Sequence, residues 1–179
     1  MAADVGPFRK GIPFMSQPLT DDDRPAVKCF IERHWHDALL CIKGRVYHPH
    51  LTEGFLIRQE GDISGLVTYC GDGDDILLLT QNSMERGAGI GTSLVLKVID
   101  VARQRGARRV WLTTSNANLD ALGFYQRLGF RIVAVYRDGL DHARRSSKPS
   151  IPEFAPNGLP IHDEIELELQ LKPYIEATR

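Results

Sequence analysis

Apolar and polar residues follow two different periods along this chain, and the changes of period mark its elements. The plainest case is EIELELQL (164–171), where Ile165, Leu167, Leu169 and Leu171 alternate with Glu164, Glu166, Glu168 and Gln170. That is the period-two pattern of a strand with one face buried. GFLIRQEG (54–61) and ISGLVTYC (63–70) are apolar runs broken at Glu60-Gly61-Asp62, a hairpin signal. A second turn, GDGDD (71–75), leads to ILLLTQ (76–81). These three runs predict successive antiparallel strands. ARRVWLTT (107–114) and FRIVAVYR (130–137) predict two more, and PFMSQPLT (13–20) a short first strand.

Between them the period becomes helical. Val27, Phe30, Ile31 and Trp35 predict a helix over about 22–35, with Asp21, Asp22 and Asp23 at its positive end and Pro25 in its first turn. Ile90, Leu94, Val98, Val101 and Ala102 form the buried stripe of a second helix, over about 90–105, stopped by Gly106. A third, NLDALGFYQRL, has Asn116 or Asn118 as its cap and ends at Gly129. Residues 138–163 carry four prolines and form a connection long enough to be functional or a lid, with a short helix in GLDHARRSS. Residues 1–12 read as a loose tail, and 13–179 as a single domain.

Composition narrows the partners. The 179 residues carry 22 Lys and Arg against 23 Asp and Glu, a formal charge of -1 without the basic excess of a nucleic-acid binder. Three cysteines, Cys29, Cys41 and Cys70, form no C-x-x-C pair and predict reduced thiols in a cytoplasmic protein. No stretch approaches the roughly 18 apolar residues of a membrane span. His34 and His36, and His48 and His50, lack the i, i+4 spacing of a helical metal site, so no metal is expected. Arg144, Arg145 and Lys148 could meet an acidic acceptor but read better as a solvated helix face.

The chemistry concentrates in ERGAGIGTSLV (85–95), where Gly87, Gly89 and Gly91 stand at the mouth of the second helix. A helix N-terminus presents unpaired N–H groups and partial positive charge, and glycines let phosphate oxygens approach them. The loop therefore predicts an anion cradle. A Walker loop needs a Lys that is absent here. The dinucleotide fingerprint needs G-x-G-x-x-G and a carboxylate at the end of the next strand; here the spacing is one residue short and that strand ends Thr113-Thr114-Ser115-Asn116.

Arg86-x-x-Gly89-x-Gly91 resembles the [Q/R]-x-x-G-x-[G/A] loop of the GNAT superfamily of N-acetyltransferases. Asn118-Leu119-Asp120-Ala121-Leu122-Gly123-Phe124-Tyr125, followed by Leu128-Gly129-Phe130, resembles that family's N-x-x-A-x-x-F-Y-x-x-x-G-F segment. Thr114-Ser115-Asn116-Ala117-Asn118 and KPSIP…NGLPIHDEIELEL look like a bacterial branch that reads TTNDN and KPxIP…GIPxxDEIEL. The resemblance covers about residues 20 to 171. It implies an α/β (α+β) fold with a mixed, mostly antiparallel twisted sheet flanked by helices. It also implies acetyl-CoA as co-substrate and an amine acceptor, with no nucleic acid or membrane partner.

On that resemblance, Arg86, Gly87, Ala88, Gly89, Ile90, Gly91 and Thr92 hold the pyrophosphate through their main chain. Gln81 and Ser83 pair with the pantetheine arm as an added strand does, Asn118 hydrogen-bonds it, and Tyr125 stands beside the thioester sulfur. Spacing alone would make Tyr125 a packed aromatic. Where the branch has a glutamate five residues before the Asn-Ser pair, this chain has Leu77; Ala117 replaces the aspartate of TTNDN. Asp75 and Glu164 are the remaining candidate bases. Three readings follow: N-acetyltransferase, a CoA-binding regulatory or sensor domain without turnover, and a nucleotide-binding module. A homodimer is possible, with the final strand pairing across it.

Overall fold

The structure, a computed structural model, describes residues 15–171; the tail expected at 1–12 lies outside them. Its main sheet has seven strands. They are β1 (Gln17–Pro18), β4 (Glu53–Gln59), β5 (Asp62–Asp72), β6 (Asp75–Ser83), β7 (Arg109–Ser115), β8 (Arg131–Tyr136) and β9 (Glu164–Gln170). The spatial order is β1-β4-β5-β6-β7-β9-β8. Every ladder is antiparallel except β6 with β7. The helices are α1 (Arg24–Trp35), α2 (Ile90–Gln104), α3 (Leu119–Arg127) and α4 (Gly139–Ser146). None of the described helices is long and apolar enough to cross a membrane. Cys29, Cys41 and Cys70 are unbridged.

One element is absent from the sequence reading. β2 (Leu40–Ile42) and β3 (Arg45–Tyr47) form a separate antiparallel hairpin. Its turn residues Lys43 and Gly44 both have positive φ, 50° and 76°. That is a left-handed two-residue turn, which matches strand twist.

The sheet has a core on each face. On one face α2 and α3 pack onto Ile57, Val67, Ile76, Leu78, Val110, Leu112 and Leu167. Gly65 lets α2 come close, since a methyl there would stand 2.4 Å from Ile90 Cγ2. On the other face α1 buries Val27, Phe30 and Ile31 against Leu56 and Leu66. Beside it the hairpin buries Leu40 and Ile42 against Leu77, Leu79 and Trp111. Each such side chain contributes about 1.5–3 kcal/mol.

Two expectations for the final strand are corrected. β9 lies between β7 and β8, so both of its edges are occupied and it cannot pair across a dimer; the sheet edge on that side is β8. Nor does its glutamate row face water. Glu164 and Glu166 are buried, because the hairpin and its turn cover that face. Burial of this kind requires compensation. Arg109 bonds Asp75 at 2.8 Å, Glu166 at 3.0 Å and Glu168 at 2.6 Å. Lys43 Nζ bonds Glu166 at 2.9 Å and lies 5.1 Å from the Trp111 ring centroid.

Residues 147–163 are not a lid over the cleft described below. Arg144 donates to the carbonyls of Ile151, Pro152 and Ile161 at 2.9, 2.8 and 2.7 Å. Asn116 accepts from the main-chain N–H groups of His162 and Asp163, each at 3.1 Å, and donates to Pro160 at 2.9 Å. Lys148, expected on a solvated face, is buried with Nζ on the Leu39 carbonyl at 2.7 Å. Three side chains thus fasten the segment to the body.

Candidate functional site

The parallel ladder of β6 and β7 has two rungs, Ile76 to Val110 and Leu77 to Trp111. Beyond them the strands part. β6 stays paired with β5 as far as Ser83, and β7 with β9 as far as Ser115. Between them opens a groove of 1320 Å³, walled by the last turns of β6, the glycine loop, the start of α2, Leu112 to Thr114, and α3. The edge of β6 from Leu78 to Ser83 therefore has no neighbouring strand among the described residues and faces a cleft. An extended ligand can hydrogen-bond there.

A β-bulge aims the residues of this edge. Thr68 pairs with Thr80 and Tyr69 with Leu78, leaving Leu79 as the extra residue. One inserted residue resets the alternation of side chains. Leu78 accordingly faces the α2 core, and so does the Gln81 amide, packed where a side chain on Gly91 would otherwise stand. Asn82 turns to the opposite face and accepts a hydrogen bond from Trp35 Nε1 at 2.9 Å.

The loop has the conformation its glycines predict. Gly87 and Gly89 have φ of 79° and 87°, in the left-handed region. Ser83 Oγ donates to the Glu85 carbonyl at 3.0 Å, and the Met84 N–H bonds the Ser64 carbonyl at 2.9 Å, fixing the approach. Gly89 is the N-cap of α2 and carries no side chain to satisfy the first turn. The first intrahelical bond runs from Ser93 N–H to Gly89 at 2.9 Å. Helix geometry leaves the N–H groups of Ile90, Gly91 and Thr92 ahead of it. Gly87, Ala88, Gly89, Gly91 and Thr92 line the groove, while the Ile90 side chain is in the core. Arg86 pairs with Asp120 of α3 at 2.9 Å, but both are largely exposed and the pair contributes little.

From α3 come Asn118 and Tyr125, both lining the groove. Asn118 caps the helix, its Oδ1 accepting from Ala121 N–H at 3.2 Å, which leaves its NH₂ to donate. Tyr125 is buried edge-on between Phe124 and Phe130, with centroids at 5.0 and 5.4 Å. Burial alone pushes its phenol far above the ordinary tyrosine value, so it stays protonated.

The candidate bases separate. Asp75 is corrected: it stands at the opposite end of β6 from Ser83, buried on Arg109 and 3.3 Å from Arg108. A carboxylate held there by two guanidinium groups has no path to the groove. Glu164 heads β9 next to the diverging half of β7, its register partner being Ser115. Both its oxygens accept from the Lys43 main-chain N–H, at 3.2 and 3.1 Å. Burial raises its pKa, opposed by the nearby Thr113 hydroxyl and the Lys43 N–H.

The sequence reading missed His34 and Trp35, which line the groove from the end of α1. Trp35 fell into the helical stripe and so read as core. Its place at the end of the apolar stripe, between two histidines, was the available signal.

The chain is similar to known proteins. Residues 17–130 match the acetyltransferase (GNAT) family. The uncharacterized protein YdhI of Bacillus subtilis is 36% identical over 137 residues, covering 76% of this chain and 85% of that protein. A Bacillus subtilis acetyltransferase in complex with CoA has a TM-score of 0.61 at 20% identity, over 88% of this chain and 98% of that one. A GNAT acetyltransferase from Elizabethkingia anophelis with acetyl-CoA bound also has a TM-score of 0.61 at 20% identity, over 88% and 97% of the two chains. A cleft between two parting parallel strands, a glycine cradle at the start of the following helix and a match over residues 17–130 lead to one conclusion: this chain belongs to the GNAT family of acetyltransferases.

Proposed function

We propose that the protein transfers the acetyl group of acetyl-CoA to the nitrogen of a primary amine. One observation carries this reading: a single groove connects the N–H cradle at the start of α2 with the buried Tyr125 phenol. In this reading the diphosphate sits on the main chain of Arg86 to Thr92. The pantetheine arm runs along the Gln81 and Ser83 edge of β6, and the Asn118 NH₂ donates to it. The thioester then lies beside Tyr125.

The chemistry follows from the groups available. A neutral amine attacks the thioester carbonyl, and the tetrahedral intermediate expels thiolate. A free thiol has a pKa of about 8.5 and a tyrosine about 10. Burial has moved Tyr125 further above the thiol, so surrendering its proton outright is unfavourable. Tyr125 instead donates a hydrogen bond to the developing thiolate, and solvent supplies the proton after release. Glu164 accepts the proton lost by the amine.

Acetyl-CoA should raise the melting temperature where ATP and NAD do not. Thiol release should appear with at least one amine in a panel of aminoglycosides, polyamines, amino acids and peptides. Tyr125→Phe should lower kcat by roughly 10²-fold at unchanged acetyl-CoA affinity, as read by steady-state kinetics and calorimetry. The second reading, a CoA-binding regulatory domain, draws on Leu77. It is fully buried against Leu40, Ile42 and Trp111, so that strand position offers no carboxylate. It predicts acetyl-CoA binding with no thiol release for any amine.

A further inference from the structure

We propose that Thr113 is a further catalytic residue, which passes the acceptor amine's proton from the groove to the Glu164 carboxylate behind it. The assignment rests on the acetyl-transfer reading above. It answers a problem that reading leaves: Glu164 is 4% exposed and is not among the groove-lining residues, so an amine cannot reach it directly.

Thr113 stands where the two meet. It follows the last β6–β7 rung by two residues, at the point where the strands part, and it lines the groove. Across the β7–β9 ladder its register partner is Glu166, and the partner of Ser115 is Glu164. Side chains paired in an antiparallel ladder share a face, so Thr113, Ser115, Glu164 and Glu166 stand on the hairpin side. Thr113 is thus the diagonal neighbour of Glu164 across the ladder, within reach of that longer side chain. A hydroxyl there can donate to the carboxylate and accept from a group in the groove.

The two buried glutamates are treated differently. Glu166 accepts from Tyr136 Oη at 2.6 Å, Lys43 Nζ at 2.9 Å and Arg109 at 3.0 Å. Burial would raise its pKa, but these donors outweigh it and hold Glu166 ionised. Among the described residues Glu164 accepts only from the Lys43 main-chain N–H, and for it burial prevails. The charged groups facing Glu164 are Lys43, from the hairpin turn, and Glu166, on its own strand. The adjoining surfaces of β7, β8 and α4 present Thr113 and Ser115, Tyr136, and Gly139, none charged. Two carboxylates whose surroundings drive their proton affinities apart divide into a fixed charge and a proton acceptor.

The step balances. The amine lone pair forms the C–N bond as the carbonyl π pair moves to oxygen. The nitrogen gives one proton to Thr113 Oγ1, whose own proton passes to Glu164. The oxyanion re-forms the carbonyl, and the C–S pair leaves on sulfur. Glu164 returns its proton to solvent by the same hydroxyl once the amide has gone, which balances the proton that solvent gives to the released thiolate.

The test uses full-length protein and the panel amine that gives the fastest thiol release. Thr113→Val should lower kcat by roughly 10²-fold without changing acetyl-CoA affinity, and Thr113→Ser should restore most of it. The loss should shrink for acceptors of lower amine pKa, which surrender the proton more readily. Thr113→Ala replaces the valine variant if the latter does not fold. Infrared spectra provide a readout apart from turnover. A protonated-carboxyl band that titrates with pH should vanish in Glu164→Gln and move to higher frequency in Thr113→Val. A Thr113→Val enzyme with parental kcat, or a Glu164 band indifferent to Thr113, overturns the relay while acetyl transfer stands. A parent that binds acetyl-CoA and acetylates no amine overturns the functional reading and the relay with it.

Discussion

Arg109→Met is expected to lower the free energy of unfolding by about 3–5 kcal/mol. For a chain of this size that corresponds to a fall of roughly 6–20 °C in melting temperature. Arg109 is the hub of a charge network under the β2–β3 hairpin. It bonds Asp75, Glu166 and Glu168, and its guanidinium stands 5.4 Å from the Trp111 ring centroid. Methionine matches much of its volume but strands carboxylates that water scarcely reaches, Asp75 at 6% and Glu166 at 4% exposure. Arg108 remains near Asp75, and Lys43 and Tyr136 on Glu166, which places the loss towards the lower end of that range. The pH dependence is specific. In the parent, donors hold Glu166 below its ordinary value despite burial. Its contribution is therefore complete above the unfolded-state value and is lost as pH falls through the folded one. In the variant Glu166, without one of its donors, takes up a proton more readily in the folded state. The stability gap should narrow as pH drops from 7.5 towards 5. Urea denaturation at both values measures it, and a gap independent of pH would contradict the account.

The second large effect is on ligand binding. Gly89→Val should weaken acetyl-CoA binding at least tenfold while leaving the unliganded fold cooperative. Gly89 caps α2 with φ 87°, and its missing Cβ would meet nothing within 4 Å. The constraint is thus conformational: an L-residue in the left-handed region costs about 1–2 kcal/mol, and a β-branched one is a stronger outlier. The loop can relieve that strain by rotating the peptide planes at 88–90, which turns the N–H groups of the first turn away from a common point. Calorimetric titration with acetyl-CoA reads the loss. Gly91→Ala provides a contrast. Its Cβ would come 2.6 Å from Gln81 Nε2, the end of a flexible side chain, and its φ is not left-handed. It should reduce affinity less. Equal affinities for parent and Gly89→Val would remove the reason for glycine at this position.

What the sequence disclosed, and what it withheld, divides along the range of the interactions. The alternation in 164–171, the stripe of α2 and an asparagine cap on α3 are local patterns, and the structure contains each of them, with Asn118 and not Asn116 as the cap. The conformation of the glycine loop was legible for the same reason, since three glycines before an amphipathic helix have a local physical meaning. The β2–β3 hairpin was not. Its strands are three residues long, too short for a period, and its turn is Lys43-Gly44 in place of the usual Asn-Gly or Asp-Gly. Missing it meant missing the cover over Glu164, Glu166 and Glu168, so the polar face of β9 read as solvated. Nothing within β9 reveals that it inserts between β7 and β8, because strand order is decided by distant chain. Asp75 looked catalytic because it shares a strand with Gln81 and Ser83; only the direction of β6 shows that it lies at the wrong end. Thr113 read as a plain strand residue, since its position depends on where the β6–β7 ladder stops.

The central claim is that the diphosphate of acetyl-CoA rests on the main-chain amides at the start of α2, with the thioester at the parting of β6 and β7. The most direct measurement is an amide NMR titration of the ¹⁵N-labelled protein with acetyl-CoA. The account predicts the largest shifts at Gly87, Gly89, Ile90, Gly91 and Thr92, with smaller ones at Gln81, Ser83 and the Asn118 side-chain amide. Saturable binding that shifts other amides and leaves residues 87–92 unmoved would contradict it.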